Sequence, residues 1–219
     1  MTSTMNSAHF NMVWHQLRPN EVSQAEVLAA LKKIDRAGFV ATNFASLAYS
    51  DTRLPIGCGQ FMWTPLEEGR ILQALQLTPT DNVLEIGTGS GFFTSLLAQL
   101  SATVISVEYF DELSAQAATR LQAAGIENVT LQCGDASQEW ELPDRVDAIV
   151  LTASCVQLPD AYLHALKVGG RLLAIVGQEP AMHVQRVTRT GERQWQTEVL
   201  FETVVSPMLH AEAKPEFTF

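Results

Sequence analysis

Val83-Leu84-Glu85-Ile86-Gly87-Thr88-Gly89-Ser90-Gly91-Phe92-Phe93 reads as a buried strand that runs into a glycine turn and then into a helix. Gly87 and Gly89 permit positive φ and close backbone approach, and Gly91 lets the helix start pack tightly beneath a ligand. Exposed amides at that helix start hold polar ligand groups. The stretch points to a nucleotide-type cofactor site at a strand end.

Outward from it, Thr103-Val104-Ile105-Ser106-Val107-Glu108 reads as a second β-branched strand, ending in a carboxylate where a ribose diol is gripped. Asn128-Val129-Thr130-Leu131-Gln132-Cys133-Gly134-Asp135 is a third short run, and its terminal Asp135 is an acceptor placed for an exocyclic adenine amine. Asp135 equally suits a plain turn or a helix cap. Ala136 beside it and Thr88 within the glycine turn complete the expected cofactor contacts.

Dinucleotide sites share this strand, turn, helix and acid, but they space their glycines G-x-G-x-x-G. Here Phe92 falls where the third glycine would stand. Glu85 precedes the first glycine by two residues, where a carboxylate orients an ammonium or orders the turn. S-adenosyl-L-methionine carries such an ammonium and a sulfonium, and the net charge of −10 favours a cation over a pyrophosphate. It is the expected cofactor.

The 219 residues suit one domain able to bury a core, and a composition of 47% hydrophobic and 17% charged residues is globular. No apolar run reaches the roughly 18 residues that span a bilayer. Met1-Thr2-Ser3-Thr4-Met5 lacks the basic start of a secretory leader. Cys58, Cys133 and Cys155 are odd in number and lack Cys-x-x-Cys spacing, so they read as free thiols of a reducing cytoplasm. The acidic balance, with no Lys/Arg cluster, argues against nucleic acid, and no membrane partner is expected. The five histidines, His9, His15, His164, His183 and His210, have no metal-ligand spacing and read as surface or structural. Gly89-Ser90-Gly91 lacks the spacing of a nucleophile elbow.

Ser23-Gln24-Ala25-Glu26 suits a capping box ahead of a helix over Val27 to Ile34. Asp51 to Pro65, broken by Pro55, Gly57, Gly59 and Pro65, reads as loop, and helical spacing returns at Leu66, Ile71, Leu72 and Leu75. Strands are expected at 82–87, 103–108, 128–133, 146–152 and 171–177, with helices at 91–100, 111–124 and 159–167 between them. Residues 183–189 and 194–201 read as an antiparallel hairpin about Thr190-Gly191-Glu192. The expected fold class is α/β, with a doubly wound, mainly parallel seven-stranded sheet and an antiparallel C-terminal hairpin. One domain, 1–219, is expected: a helical and loop segment over the site (1–66), a cofactor-binding core (67–180), and a hairpin and tail (181–219).

Three separated stretches give the chain a resemblance to the protein-L-isoaspartate O-methyltransferase family of class I S-adenosylmethionine-dependent methyltransferases. Arg36-Ala37-Gly38-Phe39-Val40 resembles the family's Arg-x-x-Phe-Val. Leu47-Ala48-Tyr49-Ser50-Asp51 followed by Leu54-Pro55-Ile56-Gly57-Cys58-Gly59-Gln60 is similar to its substrate loop, and Val83 to Gly91 to its cofactor motif. Asp147 to Ala153 and Leu166 to Leu172 agree as well. The resemblance implies a Rossmann-like methyltransferase that esterifies isoaspartyl carboxylates of damaged proteins, as monomer or homodimer. Gln60, Trp63 and Thr64 are then the substrate-loop candidates.

The family continues its loop Thr-Ile-Ser, whereas this chain has Phe61-Met62-Trp63-Thr64-Pro65. Trp63 stands at the serine position, and in an extended loop Thr64, one residue on, faces the opposite side. Esterifying a carboxylate needs no strong base, since a carboxyl of ordinary pKa about 3.9 is already ionised; alignment of nucleophile, methyl and sulfonium matters more. Phe61-Met62-Trp63 either suits a flatter, more apolar acceptor or packs the loop onto the core, and Phe92-Phe93 reads as core. Two other readings stay open: the same fold with a different acceptor, and a cofactor-binding interaction module.

Overall fold

The computed structural model describes residues 7–211. Residues 1–6 and 212–219, which end the expected N- and C-terminal segments and include the Met1 to Met5 start, lie outside the described residues. Among the described residues nine strands follow in chain order: β1 Leu54–Gly57, β2 Gln60–Met62, β3 Asn82–Ile86, β4 Thr103–Glu108, β5 Val129–Cys133, β6 Val146–Cys155, β7 Leu166–Gln178, β8 Ala181–Gly191 and β9 Gln194–Glu202. β1 and β2 pair with each other, and the other seven form one sheet in the order β5-β4-β3-β6-β7-β8-β9. β5 through β7 run parallel, while β8 and β9 are antiparallel. The chain moves outward from β3 to β5 and returns to β6 on the other side of β3. That reversal opens a crevice at the strand carboxyl ends, where ligands of such sheets bind.

Helices α1 Ser7–Asn11, α2 Ala25–Lys33, α3 Pro65–Leu75, α4 Phe92–Leu100, α5 Asp111–Ala123 and α6 Asp160–Ala165 follow in chain order; α3, α4, α5 and α6 pack on the sheet, and α2 packs against α3 and α4. The period-two alternation of strands divides the core. Val83, Ala148 and Val150 pack with Leu31, Leu72 and Leu96 on one face, while Leu84, Ile149 and Leu151 pack with Tyr162 and Leu172 on the other. Each fully buried branched side chain contributes about 1.5–3 kcal/mol of transfer free energy. Phe92 and Phe93 both join the buried core. Among the described residues no helix is long and apolar enough to cross a membrane, and the three cysteines are unpaired.

Three local expectations are corrected. The capping box at Ser23 to Glu26 does not form: α2 starts after Gln24 without a side-chain cap, and Gln73 of α3 accepts the N–H groups of Ser23 and Gln24 at 2.8 and 2.9 Å. A tertiary acceptor does what the local one was expected to do. Within 51–65, β1 and β2 form a hairpin, because Gly57, Cys58 and Gly59 all take positive φ and let the chain reverse. The sixth helix stops at Ala165, short of 167, because Leu166 is drawn into register with Val146 of β6 and begins β7 five residues early.

Candidate functional site

The glycine turn after β3 is set by steric fit. Gly87 sits at φ 99°, and a Cβ there would lie 2.1 Å from the Thr152 hydroxyl, so no side chain fits. Thr152 Oγ1 donates to the carbonyls of Ile86 and Gly87 at 3.0 and 2.8 Å, tying the turn to the end of β6. Gly91, at φ 83°, precedes α4, and a Cβ there would meet that of Ala117 on α5 at 3.2 Å. The turn is therefore a bare backbone cradle facing the crevice.

Glu85 lies beneath this turn, fully buried. Its Oε2 accepts the hydroxyls of Thr94 and Ser106 at 2.5 and 2.6 Å. Ser106 has one hydrogen to give, so the 2.6 Å contact between Thr88 and Ser106 has Thr88 as donor. A chain of hydroxyls thus runs from the turn to Glu85, while Glu85 Oε1 has no hydrogen-bond partner. Burial pushes the carboxyl up to about 8, with the Ser106 and Thr94 bonds opposing. The two hydroxyl bonds place Glu85 under the glycine turn, the position from which it was expected to order that turn or to orient a ligand's ammonium.

Glu108 closes the other side of the turn. Its Oε2 accepts the N–H of Gly89 at 2.8 Å and its Oε1 that of Phe110 at 3.1 Å. A carboxylate offers about four lone-pair sites, so the group keeps acceptor capacity toward a ligand diol. A cavity of about 400 Å³ lies over Gly87, Gly89, Glu108 and Thr152. A lobe of about 80 Å³, sharing Gln60, Gly87 and Ala153 with it, lies between Phe110, Asp135, Ala136 and Met208. A cradle without side chains, an acid at the junction and an apolar side lobe with one polar corner fit an adenosyl group and its amino-acid tail.

Asp135 stands at that polar corner. Its Oδ1 accepts the Ser137 N–H at 3.0 Å, and its Oδ2 lies 2.6 Å from His210 Nδ1. The His210 contact, then the Ser137 N–H, holds the carboxyl below its ordinary range. Asp135 thus serves as a turn residue and also lines the lobe. His210, expected to be surface or structural, borders the candidate site, and its ring also meets Tyr109 edge-on at 5.4 Å.

The β1–β2 hairpin forms the outer wall. Gln60, Phe61 and Trp63 line the main cavity. Phe61 is 52% exposed, whereas Met62 and Trp63 are buried; Trp63 packs edge-to-face on Phe93 at 5.1 Å. Core packing and cavity lining are divided among these three residues. Thr64 is placed differently from Gln60 and Trp63: it caps α3, accepting the Glu67 N–H at 3.3 Å while Glu67 accepts the Thr64 N–H at 2.9 Å. Behind the wall, fully buried Arg36 binds Glu68 through two nitrogens, at 2.9 and 3.2 Å, and the carbonyls of Ala48 and Trp63 at 2.7 and 2.6 Å. The Trp63 position is fixed from its own backbone.

Several lining residues escaped the sequence reading. Thr152 and Ala153 come from the end of β6, and Val205 and Ser206 from the segment after β9. Ser154 anchors that segment: its N–H donates to Ser206 O at 3.0 Å, and its carbonyl accepts the Met208 N–H at 2.7 Å. Among the described residues no group of three or more His, Cys, Asp and Glu side chains is gathered to hold a metal.

A family model described as protein-L-isoaspartate(D-aspartate) O-methyltransferase matches residues 8–212. The protein-L-isoaspartate O-methyltransferase of Rhodospirillum rubrum is 39% identical over 196 residues, which cover 89% of this chain and 90% of that protein. That of Maricaulis maris is 38% identical over 198 residues, covering 90% and 92%. The fold agrees with a Plasmodium falciparum beta-aspartate methyltransferase structure in complex with S-adenosyl-L-homocysteine, at TM-score 0.82 and 19% identity over 93% of this chain and 99% of that one.

Proposed function

The chain belongs to the protein-L-isoaspartate(D-aspartate) O-methyltransferase family, and from that premise we propose that it esterifies the free carboxylate of isoaspartyl residues in damaged proteins. S-adenosyl-L-methionine supplies an electrophilic methyl carbon on a sulfonium. A carboxylate oxygen forms the new O–C bond as the S–C bond breaks, leaving S-adenosyl-L-homocysteine and a methyl ester. No proton moves, since the acceptor is ionised at neutral pH. The residues have only to hold two ligands in line and keep water from between them.

The observation that carries this reading is one continuous cavity. It joins the glycine cradle and Glu108 on one side to Gln60, Phe61 and Trp63 on the other, so a cofactor and an acceptor meet in it. In the proposed arrangement Glu108 holds the ribose hydroxyls, and Asp135 and Ala136 border the adenine. Gly87, Thr88, Gly89 and Gly91 wrap the amino-acid end, and Glu85 supports the turn from below. Gln60 borders the acceptor, while Thr64 acts through the cap of α3. We assign the whole of 1–219 to one methyltransferase unit, with 1–66 over the site, 67–180 as the cofactor-binding core and 181–219 as hairpin and tail. Unpaired thiols and a net charge of −10 support a cytoplasmic protein acting on protein substrates, as monomer or homodimer, and not on nucleic acid.

The test is incubation of purified protein with methyl-labelled cofactor and an isoaspartyl peptide. Base-labile methyl ester above a no-enzyme control is expected. Its absence, with the cofactor still bound, favours the second reading, a different acceptor of the same fold; the observation behind that reading is Trp63, which fills the serine position with an indole.

A further inference from the structure

A carboxylate acceptor has two oxygens. One must face the methyl carbon, and the other must be held so that the first does not swing away. Holding it takes a hydrogen-bond donor on the acceptor side of the cavity, because the carboxylate itself only accepts. Trp63 brings no hydroxyl to that wall, only an indole N–H.

The donors around the cavity are few. Arg53 lines it, but its guanidinium is engaged by Glu67, by the Thr203 hydroxyl at 3.0 Å and by the Val204 carbonyl, so its charge is already balanced. The hydrogen of Thr152 is shared between the Ile86 and Gly87 carbonyls. Thr52 is exposed at the rim. Gln60 lines both the main cavity and the adenine-side lobe. Ser206 is half-buried in the cavity wall, and its hydroxyl makes no hydrogen bond among the described residues. Its backbone is held on β6 by the Ser154 N–H at 3.0 Å. A fixed backbone with an uncommitted hydroxyl is what an orienting donor requires.

Building on the isoaspartyl reading, we infer that Ser206 is an acceptor-binding residue whose hydroxyl holds one oxygen of the substrate carboxylate, supplying from the segment after β9 the hydroxyl that the loop position of Trp63 lacks. The site then recognises the acceptor from two walls, with Gln60 on the hairpin and Ser206 on the β6 side.

Steady-state kinetics with an isoaspartyl peptide, together with calorimetric titration of S-adenosyl-L-homocysteine, test this. Ser206→Ala is expected to lower kcat/KM for the peptide roughly 10- to 100-fold, the effect of one hydrogen bond to a charged group, with cofactor-product affinity unchanged. Ser206→Thr, which keeps the hydroxyl, is expected to restore most of the rate. Adding Trp63→Ser to Ser206→Ala is expected to recover part of it by returning a hydroxyl to the other wall. Wild-type kinetics in Ser206→Ala, or an equal loss of S-adenosyl-L-homocysteine binding, overturns the inference. So does loss of peptide affinity in Trp63→Phe with none in Ser206→Ala, which assigns the donor to the indole N–H. If the wild-type chain methylates no isoaspartyl peptide at all, the functional reading fails and takes this inference with it; an active wild type with an indifferent Ser206→Ala removes the inference alone.

Discussion

The Glu108 carboxylate accepts the backbone N–H of Gly89 at 2.8 Å, so the acid that ends β4 also holds the glycine turn that follows β3. The two halves of the candidate cofactor site are one mechanical unit. A ligand diol that bonds to Glu108 is thereby placed relative to the cradle, and disturbing the acid disturbs both.

Replacing Glu108 by Ala removes a charged acceptor, worth about 1.5–3 kcal/mol per hydrogen bond to it. The dissociation constant for S-adenosyl-L-homocysteine is expected to rise roughly 10- to 100-fold. Glu108→Lys is expected to abolish binding. An unchanged constant for the lysine variant in isothermal titration would remove the ribose assignment.

Gly87→Ala meets two costs at once. The new Cβ falls 2.1 Å from Thr152 Oγ1, and φ 99° is strained for any L side chain, by about 1–3 kcal/mol. Gly87→Ala is expected to lower the melting temperature markedly. Pairing it with Thr152→Ala relieves the clash but leaves the backbone strain, so the double variant is expected between Gly87→Ala and the wild type. Strict additivity of the two single effects would show that the two residues do not press on each other.

The local part of this design was legible and the tertiary part was not. Glycine spacing, the strand-ending Glu108 and the apolar runs of β3 and β6 are encoded within a few residues, and β3, β4, α4 and α5 appear close to their expected bounds. Thr152 and Ser206 reach the cavity only through sheet order: β6 returns beside β3, and Ser154 then anchors a segment about 50 residues later. His210 reaches Asp135 by the same route. Thr64 was expected near the acceptor loop, and the Glu three residues on was not read as its capping partner. The cap took its hydroxyl, since Glu67 and Thr64 satisfy each other's backbone N–H groups. At α2 the opposite happened, and Gln73, distant in sequence, displaced the local box.

The Arg36–Glu68 pair, buried at 0% and 2% side-chain exposure, supports the hairpin wall through the Trp63 carbonyl. Glu68→Ala leaves a guanidinium buried without its counter-charge and is expected to cost about 3–5 kcal/mol. Replacing both partners with apolar side chains of similar volume is expected to cost much less. Denaturant titration of the three variants decides this; a Glu68→Ala penalty under about 1 kcal/mol would mean that water reaches Arg36.

Glu85 gives the fold a pH dependence of defined sign. Its folded carboxyl is raised by burial to about 8, from an ordinary 4.5. Below about 4.5 the group is protonated in both folded and unfolded chains, and its contribution to stability is fully present. As pH rises toward 8 the unfolded chain gives up the proton and the folded chain keeps it, so stability falls by up to about 1.4 kcal/mol per pH unit. Above 8 both forms are ionised and the contribution is gone. Glu85→Gln keeps the acceptor for Thr94 and Ser106 but cannot titrate. The difference in melting temperature between wild type and Glu85→Gln is therefore expected to move in favour of the variant from pH 5.5 to 8 and to level off above it. A difference that stays flat across that range would show that Glu85 is ionised in the folded protein, and the hydroxyl chain from Thr88 would then end on a buried charge.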